Sequence, residues 1–197
     1  MYDTVTRRQI VAHVELGSAD EMISDVILTA DGRRLYVALD DFLMEAGAIV
    51  VLDASALAEV QRLPGASDTT FLVEAPDGRY VYSVRRDHPR FGVQAFDTAN
   101  GSRTQLLDVE GEVRGMAVSS SGWFPLRPAR GLLGPDSSRG LITVFDTQSR
   151  TVAEQIEVEF AAGILAVSPD GRQLHVASGI YTYDRGWFTT FDIGKYK

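Results

Sequence analysis

The sequence predicts an all-β protein assembled from four copies of one antiparallel unit, and three observations carry that prediction. An apolar residue followed by Asp and a small or apolar residue recurs as Tyr2-Asp3-Thr4, Leu52-Asp53-Ala54, Phe96-Asp97-Thr98, Phe145-Asp146-Thr147 and Phe191-Asp192-Ile193. The Asp-to-Asp intervals are 50, 44, 49 and 46 residues. A second landmark keeps a fixed phase to the first: Asp31-Gly32-Arg33, Asp77-Gly78-Arg79 and Asp170-Gly171-Arg172, with Ser121-Gly122 as a weakened copy. Each of the three good copies runs into a β-rich stretch, at residues 35–39, 80–84 and 174–178, and nothing in the chain supplies a long helical period.

Within one period the pattern is strand, Asp-Gly turn, strand, variable loop, strand ending in Asp, short turn, strand. Residues 70–108 show it most plainly. Residues 71–75 make the first strand, and Pro76-Asp77-Gly78 suits a type I turn, Pro presetting φ and Gly accepting the left-handed position. Residues 80–84 form the second strand, 92–96 the third ending at Asp97, and 104–109 the fourth after the turn at 98–102. Residues 54–62, ASALAEVQR, resemble a helical turn in isolation. At the same phase the other copies read TVTRRQIV and TQSRTVAEQI, so a turn and an outer strand are expected there. The third copy departs from the pattern, because Pro125 and Pro128 remove ladder donors. Its second strand should be short, bulged or missing, with residues 129–140 as a surface excursion.

Four antiparallel strands repeating every 40 to 50 residues are the signature of a β-propeller blade, in which neighbouring blades bury each other's faces. The copies SPDGRQLHVAS and APDGRYVYSV, each followed by a strand ending in FD, and a strand such as QIVAHVELG, resemble the YVTN family of β-propeller repeats. Those repeats are related to quinoprotein amine dehydrogenase propellers and are WD-repeat-like in plan. The resemblance covers nearly the whole chain and implies blade structure without fixing a reaction, since the family holds scaffolds, surface proteins and enzymes.

The expected organisation is therefore one four-bladed domain over residues 1–197. Blade 1 lies at 24–64, blade 2 at 70–109, blade 3 at 113–160 and the inner strands of blade 4 at 163–193. Residues 4–17 supply the outer strand of blade 4 and close the ring, because the chain starts near the end of a third strand and stops just after another. Two rival arrangements fit the same phase. The chain is then part of a larger ring of about seven blades, or two copies share one ring as a homodimer.

Composition bounds the partners. Hydrophobic residues make up 45% of the 197 and charged residues 23%, as in an ordinary globular domain. Nineteen Lys and Arg against 27 Asp and Glu give a net charge of -8, which argues against nucleic acid or an anionic membrane as partner. The absence of cysteine removes disulfides, thiolate zinc sites and a Cys nucleophile. No apolar run reaches the ~18 residues of a spanning helix, and the first 17 residues lack the charged-then-apolar order of a signal peptide. A soluble cytoplasmic protein is expected, or a periplasmic or secreted one if upstream sequence has been lost. His13, His88 and His175 show no metal-ligand spacing, neither GxSxG nor GxxxxGK[ST] occurs, and no metal or cofactor is expected.

Function should sit on loops that break the symmetry of the repeat. The repeated Asp3, Asp53, Asp97, Asp146 and Asp192 precede turns and are expected to accept backbone N–H bonds, as are Asp31, Asp77 and Asp170. The loops between second and third strands instead combine charge and aromatics. Arg85, Arg86, His88 and Arg90 come from blade 2, and Tyr181, Tyr183, Arg185 and Trp187 from blade 4. Arg and aromatic residues dominate binding hot spots, so these eight form the expected ligand or partner face. Phe91 and Trp187 equally suit packing between blades. Acidic loops between blades, with Asp20, Asp68 and Glu112, would ring the channel mouth, where they could hold a cation or stand merely solvated. The expected function is a non-enzymatic scaffold binding a protein or peptide on its loop face. The alternative is a propeller enzyme of lactonase or quinoprotein dehydrogenase type, distinguished by converging Arg, His and carboxylate groups at the channel mouth.

Overall fold

The computed structural model describes residues 14–16, 21–41, 47–64, 69–85, 91–109, 112–119, 123–129, 140–146, 149, 151–158, 162–179 and 186–196. Blade 1 contains β1 (Glu21–Leu28), β2 (Arg34–Asp41), β3 (Ala48–Asp53) and β4 (Glu59–Pro64). Blade 2 contains β5 (Thr69–Glu74), β6 (Tyr80–Arg85), β7 (Phe91–Asp97) and β8 (Arg103–Val109). Blade 3 contains β9 (Glu112–Met116), β10 (Trp123–Ala129), β11 (Gly140–Asp146) and β12 (Thr151–Val158). Blade 4 contributes β13 (Ala162–Val167), β14 (Gln173–Gly179) and β15 (Gly186–Asp192), followed by a 3₁₀ turn at Gly194–Tyr196. Each set is an antiparallel meander in which consecutive strands are hydrogen-bonded neighbours.

Each sequence class sits where its burial allows. The third strands of blades 1 to 3 are covered on both faces, so β3 (AIVVLD) is a continuous apolar run rather than an alternating one. The outer strand β4 (EVQRLP) buries only Leu63. The stretch that resembles a helical turn is a turn at 54–56 leading into β4. Gly32, Gly78 and Gly171 take φ near +70° in the Asp-Gly turns, the left-handed region that an L side chain resists.

Blades stack through opposite faces, called here the front, toward the next blade in sequence, and the back. Front residues Tyr36, Ala38, Ile49 and Val51 of blade 1, with Leu63, meet Leu72, Val81 and Phe96 from the back of blade 2. Blade 2 presents Tyr82, Val84, Val93 and Ala95 to Val113, Met116 and Phe145 of blade 3. Blade 3 offers Ile142, with Ile156 and Val158, to Leu174 and Val176 of blade 4. Fully burying one such side chain stabilises by about 1.5–3 kcal/mol, so these junctions, more than any ladder, hold the array together. The back of blade 1, Val37, Leu39, Val50 and Leu52, is packed by Leu16 and Leu35.

Polar contacts reinforce the junction between blades 1 and 2. Leu72 N donates to Asp25 Oδ2 at 2.7 Å, and Ser24 Oγ donates to Thr69 O at 2.9 Å. Ala30 N, in the Asp-Gly turn of blade 1, donates to Glu74 Oε2 at 2.6 Å. Asp25 reaches the Leu72 amide because β5 carries a bulge between Thr70 and Leu72, where Phe71 adopts a φ of 50°.

Of the outcomes expected for the third blade, the structure shows the bulged one. Its second strand is neither short nor missing: β10 spans Trp123–Ala129 and pairs with both β9 and β11, with its register broken between Leu126 and Pro128. A register break lets a strand continue past a residue that cannot donate, which is how a central strand tolerates its prolines. The excursion over 130–139 lies outside the described residues. So does the expected ring-closing strand, apart from residues 14–16, which are not in a strand.

Candidate functional site

Antiparallel order gives the array two unlike ends. Every Asp-Gly turn and every turn after a third strand lies at one end. The strand ends that flank 42–46, 86–90 and 180–185, and those that flank 65–68, 110–111 and 159–161 between blades, lie at the other. The two ends differ chemically as well as geometrically.

At the turn end the repeated acids are consumed by the backbone. Asp53 Oδ1 accepts from Ser55 N at 2.9 Å, Ser55 Oγ at 2.6 Å and Ala56 N at 3.0 Å. These bonds, the Ser55 hydroxyl foremost, hold its carboxyl down at about 2. Asp97 Oδ1 accepts from Ala99 N and Asn100 N, and Asp192 Oδ1 accepts from Gly194 N. Asp31 Oδ1 takes the Thr29 hydroxyl at 2.7 Å and Arg33 N at 2.9 Å, which lowers its pKa below the ordinary carboxylate value. Asp77 and Asp170 cap the matching amides of Arg79 and Arg172. An open depression of about 540 Å³, lined by Arg172, Asp192, Gly194 and Lys195, lies at this end of blade 4. Lys195 Nζ is paired with Glu154 Oε2 at 2.7 Å.

At the loop end the described residues give one site residue in full. Arg85 closes β6, and its Nη2 donates to Asp108 Oδ1 of β8 at 2.6 Å, crossing the intervening β7. Gly92 makes the crossing feasible. It faces Arg85 in the ladder, and a Cβ there would strike the Leu107 carbonyl oxygen and lie 3.3 Å from Arg85 Nη2. This bridge fixes the root of the 86–90 loop, and sequence reasoning identified Arg85 but not Gly92 or Asp108. A glycine inside an otherwise apolar strand was the signal, since it marks a close approach.

The remaining expected residues divide by placement. Trp187 is the second residue of β15, opposite Ser178. Glu112 opens β9, opposite Ala129. Arg86, His88, Arg90, Tyr181, Tyr183, Arg185, Asp20 and Asp68 lie outside the described residues. His175 stands on β14, where Nδ1 shares a 3.0 Å hydrogen bond with Thr190 Oγ1 and the ring stacks on Phe188. Among the described residues no three His, Cys, Asp or Glu side chains come together as a metal-binding group, and no helix is long and apolar enough to cross a membrane.

Comparison with solved structures is informative about the fold. The chain superposes on the hydrazine synthase of Kuenenia stuttgartiensis with a TM-score of 0.74 at 14% identity, over 95% of this chain and 50% of that one. It matches TolB from Acinetobacter baumannii (TM-score 0.65, 17% identity, 88% of this chain and 41% of that). It also matches the β-propeller domain of the Trilobed protease from Pyrococcus furiosus (0.62, 14%, 89% and 55%). The chain is a β-propeller array. It spans about half the length of these structures. No family model and no curated protein matches the sequence. At such identities the likeness concerns architecture, and the names, from a synthase to a protease's propeller domain, show that this architecture serves more than one kind of protein.

Proposed function

We propose that the chain is a non-enzymatic binding module whose loop end takes a protein or peptide partner. The contrast between its two ends supports this reading. Residues repeated in every blade serve turns that every blade needs, whereas a specific site must break the repeat. In the sequence the unrepeated Arg, His, Tyr and Trp residues of blades 2 and 4 fall at or between the second and third strands. Arginine forks recognise carboxylates in two-pronged fashion and aromatic rings supply rigid contact area, so a partner segment combining acidic and apolar side chains suits them.

Panning a random peptide display library against the immobilised chain tests the proposal. Peptides enriched on the wild type should be lost on a chain carrying Arg90→Ala and Trp187→Ala and retained on one carrying Asp97→Ala. Enrichment that survives the loop substitutions, or turnover of small lactones by the purified chain, overturns it.

A further inference from the structure

The chain holds a single asparagine, Asn100, and a glycine follows it. Such a pair is chemically labile for a steric reason: glycine has no side chain to keep its backbone nitrogen away from the preceding side-chain carbonyl. The turn itself does not call for the pair. Blade 1 builds the same turn with Ala56 and Leu57 in the equivalent places, Leu57 N donating to Asp53 O at 2.8 Å as Gly101 N donates to Asp97 O at 2.7 Å. Leu57 even takes the left-handed φ, 53° against 71° at Gly101. What calls for glycine at 101 is the neighbouring blade, because a Cβ there would lie 2.5 Å from both Gln61 Nε2 and Leu63 Cδ2 of β4.

The folded turn restrains both groups that would react. The Gly101 amide is committed to Asp97 O, and Asn100 Oδ1 accepts from Ser102 N at 2.7 Å. Asn100 N donates to Asp97 Oδ1 at 3.3 Å, Thr98 N donates to Arg79 O at 2.9 Å, and the Thr98 hydroxyl donates to Gly78 O at 2.9 Å. The turn is thus tied at its foot to the Asp-Gly turn of its own blade and pressed at its crown against blade 1. Asn100 is nevertheless exposed, so water reaches its side chain.

We propose that Asn100 is a guarded deamidation site, which reacts when the turn at 97–102 lifts from blade 1 and whose isoaspartate product no longer settles there. In the lifted turn Gly101 N gives its proton to water and bonds to Asn100 Cγ. The Cγ–Nδ2 bond then breaks, the side-chain nitrogen leaves as ammonia, and a succinimide ring remains. Water opens that ring at either carbonyl. Opening at Cγ leaves aspartate on an ordinary backbone, whereas opening at the main-chain carbonyl of residue 100 leaves isoaspartate, whose backbone runs through Cβ and Cγ and is one carbon longer. Gly101 stands where not even a Cβ fits, so the lengthened turn loses its seat against Gln61 and Leu63 and the junction of blades 1 and 2 is weakened. The change runs one way, and the site thereby records how often the junction has opened.

The test is peptide mapping by mass spectrometry of the full chain aged in mildly alkaline buffer, either folded or held unfolded in guanidinium chloride. The folded chain should lose the Asn100 amide at least ~10-fold more slowly, the factor that an opening cost of about 1.4 kcal/mol supplies. The aged fraction that carries isoaspartate should melt below the Asn100→Asp chain, which has the same charge on an ordinary backbone. Asn100→Ala, which places the blade 1 residue in the turn, should age under the same conditions without that loss. Equal rates in the folded and unfolded chain overturn the guard. Isoaspartate and Asn100→Asp chains that melt together, or an Asn100→Ala chain that declines as the wild type does, overturn the claim that the lengthened turn weakens the junction.

Discussion

Blade 2 contains a polar pair where blade 1 has an apolar one, and exchanging them has a calculable outcome. Ser83 and Gln94 face each other across β6 and β7, as Val37 and Val50 do across β2 and β3. Gln94 Nε2 donates to Ser83 Oγ at 2.9 Å, and both residues are buried, at 1% and 0% exposure. Ser83→Ala removes the acceptor and strands the amide, so the loss should be the desolvation cost of a buried donor, about 1–3 kcal/mol, rather than the ~1 kcal/mol net worth of a hydrogen bond. Replacing both residues by Val reproduces the blade 1 pair with no stranded group and should be close to neutral. The double variant is then more stable than the sum of the Ser83→Val and Gln94→Val effects by at least ~1 kcal/mol, since valine at 83 strands the amide as alanine does, and a double-mutant cycle reads this coupling directly. Urea unfolding followed by circular dichroism measures it, with equal slopes across the four proteins as the check on two-state behaviour. If the Val pair is as damaging as the singles combined, the polar pair contributes through shape and not through satisfaction, and the reasoning fails.

Three further outcomes are expected. Thr143 occupies the position of Gln94 in blade 3, and its buried hydroxyl has no hydrogen-bond partner among the described residues; Thr143→Val should raise stability by about 1 kcal/mol in the same urea assay. Gly32 and Gly101 share a φ near +70°, but a Cβ meets nothing within 4 Å at Gly32 and comes within 2.5 Å of Gln61 and Leu63 at Gly101. Gly32→Ala should therefore cost only the left-handed penalty of ~1 kcal/mol, and Gly101→Ala distinctly more, in parallel melts. Asp53 has its folded pKa depressed to about 2 from 3.8, so its contribution is fully present above about pH 4 and disappears as pH falls toward 2. Asp53→Asn should accordingly flatten the acid limb of the stability profile below pH 4 and leave its shape near neutrality unchanged.

The sequence displays the fold so openly because a turn that demands a left-handed residue can be read from one dipeptide. Asp-Gly marks three turns, and the Asp after each third strand marks the opposite edge of the same sheet. Pro125 and Pro128 are legible for the same local reason, and they foretell the bulge in β10 but not the strand's full length. Missing donors argue against a strand, but the flanking β9 and β11 and a register break hold β10 in place. Side chains that act across blades escape a linear reading altogether. Asp25 and Glu74 are ordinary acids in sequence, and only the stacking of blades shows that each accepts an amide from its neighbour. The Arg85 bridge over Gly92 to Asp108 likewise depends on ladder register, which the spacing of strands leaves open.

Those cross-blade carboxylates give the array a direction in time. The amide of Ala30 and the carboxylate of Glu74 lie 44 residues apart, and Leu72 N waits on Asp25 over 47. As the chain leaves the ribosome, the first blade emerges with the amide of its tight turn uncapped and its front face bare, and neither is satisfied until the second blade has been synthesised and has docked. Each blade thus acts as the template on which the next one settles. A pause in synthesis after residue 64 has emerged and before residue 74 has done so would hold the nascent chain at its most vulnerable, with one complete meander exposed to chaperones and to other nascent copies.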